Sequence, residues 1–140
     1  MGESRGRWTL LKGIGSRLTL KSAERVLIFL VILHTLAVGL ALTAVPAWAL
    51  RFGGWEEVSP LFFPCQAGIF HLVLGFGYLL EYHRHGSVTL LVVAKASAFI
   101  FLTTATLVGG VPWIVPFSGF TDGLMGLVVW FVHSRVIRQR

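Results

Sequence analysis

The chain has 140 residues, 55% of them apolar and only 13% charged, with a net charge of +6. Soluble domains average about 25% charged residues, so this balance, with a mean hydropathy of +0.78, excludes an ordinary soluble domain. The single cysteine, Cys65, excludes an intrachain disulfide and a thiol-pair redox relay.

Residues 1–25 carry Arg5, Arg7, Lys12, Arg17, Lys21 and Arg25. This region and the apolar run after it are both too long for a secretory signal, whose apolar stretch is about 7–15 residues. Ala47-Trp48-Ala49 does have the form of an A-x-A cleavage site. Trp8, Leu11, Ile14 and Leu18 recur at helical spacing among the cations, as in a helix lying on a membrane surface. Gly13 and Gly15 weaken that helix, and a disordered basic tail is the alternative.

Four apolar runs follow, at 26–45, 61–80, 88–108 and 112–132. Each is close to the roughly 20 residues a helix needs to cross about 30 Å of hydrocarbon. An open sheet could not satisfy its backbone in lipid, so the runs read as helices. The expected fold is all-α: a four-helix transmembrane bundle over 26–133, with basic tails at 1–25 and 134–140. Pro46 ends the first span, and Gly53-Gly54 breaks the next connection. Trp48, Phe52, Trp55 and Trp113 mark one membrane interface, and Tyr78, Tyr82 and Trp130 the other. Arg84 and the terminal Arg135, Arg138 and Arg140 lie on the side of the basic amino-terminal segment. The positive-inside rule makes that side cytoplasmic, with both termini there, in a bacterial cytoplasmic membrane. Because the basic residues are split between two short tails, nucleic-acid binding is a poor reading.

Each span carries one polar titratable residue: His34, His71, Lys95 and Asp122. His34 lies nine residues after Arg25 and Lys95 nine after Gly86; His71 lies ten before Glu81 and Asp122 eleven before His133. At 1.5 Å per residue all four fall roughly 13–17 Å from the same edge, near the midplane. Ionisable groups at that depth are costly and need a partner or a purpose. Neighbours at i±3 and i±4 share a helix face. His34 lies with Ala37, Ala41 and Ala44, and His71 with Gly68, Gly75 and Tyr78. Lys95 lies with Ala98, and Asp122 with Ser118, Gly119 and Gly126. Small residues mark helix contacts in membranes, so all four stripes are expected to face the bundle.

Lys95 and Asp122 sit on helices joined by a short turn and read either as a structural ion pair or as a proton-linked site. His34 and His71 read either as interhelical hydrogen-bonding groups or as axial ligands of a haem b between spans one and two. On the haem reading, the glycines beside His71 would make room for the macrocycle. His83 and His85 form an H-x-H in a short connection without a third ligand, and Glu56-Glu57 form an acidic turn. No phosphate loop, Ser/His/Asp set or carboxylate pair supports an enzymatic reading.

Lys95-x-x-Ala98 with Phe99 and Leu102, followed by Gly119-x-x-Asp122 and Gly126, resembles the small four-span proteins of the DoxX and BphX-like families. The resemblance covers about half the chain. It implies a four-helix membrane bundle, often beside redox or catabolic enzymes. The expected function is a non-enzymatic membrane subunit or accessory protein of a larger, electron-transport-linked complex, in contact with lipids and other membrane subunits. The alternatives are a haem-b or quinone-binding electron carrier using His34 and His71, and a small proton-linked transporter using Lys95 and Asp122.

Overall fold

A computed structural model describes the backbone of residues 3–139 and the side chains of 19–139. Among the described residues there are five helices and no strand: α1 (Glu3–Ala44), α2 (Pro46–Phe52), α3 (Phe62–His85), α4 (Thr89–Val108) and α5 (Ile114–Ile137). Four are long and apolar enough to cross a membrane: α1 from Thr19 onward, α3, α4 and α5. The helices outrun the apolar runs, because a helix need not stop where the hydrocarbon does. Residues 3–25 continue the first span's helix without a break. Gly86 stops α3 in the left-handed conformation, its N–H donating to the Tyr82 carbonyl. Glu81 then supplies the start of α4, accepting hydrogen bonds from the Leu90 N–H at 3.0 Å and the Ser87 hydroxyl at 2.9 Å. These bonds satisfy an amide that has no partner within the helix.

The helix α2 stands where the sequence indicated an irregular loop. Pro46 occupies its first turn, where the missing N–H costs nothing. Trp48 stacks on Phe52 at 5.4 Å, Phe52 meets the edge of Trp113 at 6.0 Å, and Trp113 tilts against Phe117 at 6.0 Å. These aromatics tie α2 to the start of α5, at the end of the bundle remote from both termini.

Packing divides the bundle into two hairpins. The contacts of α1 are mainly with α3 and those of α4 mainly with α5, while α1 touches α5, and α3 touches α4, less extensively. Glycines bring the partners within each hairpin together. A Cβ placed on Gly68 would lie 2.8 Å from the Gly39 carbonyl oxygen and 2.9 Å from the Thr43 nitrogen. Between the hairpins, contact rests on a side-chain core of Ile28, Val31, Ile32, Tyr78, Val88, Leu91 and Val129. This core lies in the half nearer the termini. In the α2 half, every described residue that is buried is a glycine: Gly39, Gly53, Gly68 and Gly119. Tyr78, expected at an interface, is instead 2% exposed within this core. It lies on the Gly68–Gly75 face of α3, which is the face turned to the bundle.

Candidate functional site

Lys95 and Asp122 form the centre of the site. The Lys95 ammonium donates to Asp122 Oδ1 at 2.5 Å, and the two side chains are 6% and 14% exposed. The short α4–α5 connection makes these helices antiparallel neighbours, so residues at equal depth meet. Gly126 allows the close approach, since a Cβ there would come within 3.1 Å of Lys95 Cβ. Both charges are thereby compensated within one hairpin.

The two histidines belong to the other hairpin. His71 is half-buried on α3 and donates from Nδ1 to the Ala67 carbonyl at 2.8 Å. A carbonyl can only accept, so Nδ1 carries a proton. His34 is exposed, which departs from the bundle-facing position expected for it, and its neighbours Ala37 and Ala44 are exposed too. The buried stripe of α1 runs one position round, through Ile28, Val31, Ile32, Thr35 and Gly39. Alanine is small but no more apolar than its neighbours, and the larger β-branched residues won the core. Of the four residues placed at one depth by counting, the structure brings Lys95 and Asp122 into direct contact.

The glycines flanking His71 do not leave open space. A Cβ on Gly75 would meet Leu36 Cδ2 at 2.6 Å, and the space beside Gly68 is taken by Thr43 and the Gly39 backbone. These glycines serve the α1–α3 contact. His83 and His85 are exposed, and no group of three or more metal-ligating side chains occurs among the described residues.

A second buried pair was not expected. Glu24 on α1, 3% exposed, accepts a hydrogen bond from His133 Nδ1 on α5 at 2.5 Å. Tyr82 on α3 packs against the same core that this pair borders. This pair joins the two hairpins at their terminal end. The sequence held a faint signal, for Glu3 and Glu24 are the only acids before Glu56, and Glu24 adjoins the first span.

Compared with known proteins, the chain matches no family model, no curated relative and no solved structure.

Proposed function

We propose that the chain is a non-enzymatic integral membrane subunit or accessory protein of a larger complex. One observation carries the reading: the central charges close on each other, while large apolar side chains face outward on every span. Phe29, Phe70, Phe101 and Phe120 are each more than half exposed, on α1, α3, α4 and α5 respectively. Such a body offers apolar contact area to lipids and to the helices of other membrane subunits. The link to electron transport rests on the sequence resemblance of spans three and four. A cytoplasmic position for both termini, in a bacterial cytoplasmic membrane, is supported by the basic flanks. Extraction in a mild detergent tests the reading. The chain is expected to migrate in a complex with other membrane subunits, well above its own 15.4 kDa. Recovery of a lone chain from its native membrane would overturn it.

The Lys95–Asp122 pair, near mid-span with side chains 6% and 14% exposed, favours a second reading, a small proton-linked transporter. Titratable chains at membrane midplane are the usual material of proton relays. Vesicles containing the protein would then show proton flux that Asp122→Asn abolishes, and flux unchanged by that substitution would dismiss this reading.

A further inference from the structure

At the terminal end of the α1–α3 hairpin lies a groove of about 510 Å³. Its mouth is polar, formed by Arg25, Tyr82 and His83, and its floor is apolar, formed by Ile28, Ile32 and Leu79. Gly86 borders it, and a Cβ there would meet no atom within 4 Å, so the mouth is open. We propose that this groove binds one anionic phospholipid of the adjacent leaflet. Its phosphate would sit at Arg25 and His83, and one acyl chain would lie along Ile28, Ile32 and Leu79.

Charge and shape support this occupant. The two carboxylates nearest the mouth are already engaged. Glu24 is bonded to His133, and Glu81 to the Leu90 amide and Ser87. Among the described residues, neither Arg25 nor His83 forms an ion pair. A cation at the polar edge of a span, left without a carboxylate, suits a lipid phosphate. A free phosphate would have no use for the apolar floor, which continues from the mouth toward the membrane interior. A zwitterionic headgroup would bring its own ammonium to a site that already holds the Arg25 guanidinium.

The full chain in mild detergent, titrated with phosphatidylglycerol or phosphatidylcholine of identical acyl chains, tests this by native mass spectrometry. Phosphatidylglycerol should be retained preferentially, and Arg25→Gln should lower its retention about fivefold, the effect of one juxtamembrane cation. Leu79→Trp, at an exposed position on the floor, should lower retention of both lipids by filling the groove. Arg135→Gln removes a cation that lies over the Phe131 ring on α5, and it should change nothing. Equal retention of the two lipids would overturn the proposal. So would an Arg135→Gln loss as large as that of Arg25→Gln, because diffuse charge would then explain the preference. A polypeptide found in the groove in place of lipid would also overturn it.

Discussion

Removing Asp122's charge while keeping its shape is the sharpest probe of the centre. In Asp122→Asn, the Lys95 ammonium stays 6% exposed with its only ion-pair partner among the described residues gone. Lys95 cannot readily snorkel out, because Gly126 packs on its Cβ and the residue lies near mid-span. Breaking a buried pair by removing one partner costs about 3–5 kcal/mol, and a lysine at the centre of a spanning helix costs about 2.5–3.5 kcal/mol. The two figures overlap near 3 kcal/mol, which we take as the expected loss. Lys95→Met should be milder, since Asp122 is the more exposed partner at 14% and keeps some access to water. The double variant should recover most of the loss, because replacing both members of a buried pair is often nearly neutral. Reversible denaturation in mixed micelles, followed by circular dichroism, would give the four free energies of the cycle. A coupling energy below about 0.5 kcal/mol, within the additivity of independent sites, would refute the view that the pair holds α4 to α5.

Substituting His71 by Gln should cost little, about 0.6 kcal/mol, the average for a membrane hydrogen bond, the same change at the exposed His34 should cost less still, and both should leave a colourless protein; a stoichiometric haem spectrum of the purified chain, lost on either substitution, would instead establish the ligand role. His133→Leu should strand the buried Glu24 carboxylate and destabilise the bundle by about 3 kcal/mol, whereas Glu24→Gln with His133 retained should cost less, as checked by thermal aggregation in detergent. Gly68→Ala should loosen the α1–α3 hairpin by about 1–3 kcal/mol, measurable in the same denaturation assay, because its Cβ would press on the Gly39 and Thr43 backbone. Reporter fusions at residue 140 and within 50–58 should report opposite sides of the membrane, and matching reports would refute the four-span topology.

The spans were legible because lipid imposes a length and a composition that few other environments require. Lys95 and Asp122 were legible for the same reason, since a charge inside an apolar run stands out. The Glu24–His133 pair was not, because both residues lie at the flanks, where polar residues are ordinary. The two are 109 positions apart, and only the packing of α1 on α5 brings them together. His34 shows the limit of reading faces from small residues: its alanine stripe was as regular as the glycine stripe beside His71, yet only the latter is buried. The distinction lay in which neighbour could be approached most closely, and glycine alone permits backbone contact. The helix α2 escaped notice because seven residues carry too little periodicity to set them apart from a loop rich in interfacial aromatics.

The distribution of polar partners between the hairpins bears on how the chain enters a bilayer. Helices are delivered to the membrane in sequence, and a charge without its partner opposes partitioning. Lys95 finds Asp122 in the very next helix, across a connection of only five residues, 109–113. The α4–α5 segment can therefore enter as a neutral unit, without waiting for α1 or α3. Glu24 and His133, by contrast, meet only when the last helix has been made. Each lies near a span end, where water can hold it in the interval. Charges buried deepest are thus paired between consecutive helices, and the pair that must wait longest sits at the edge.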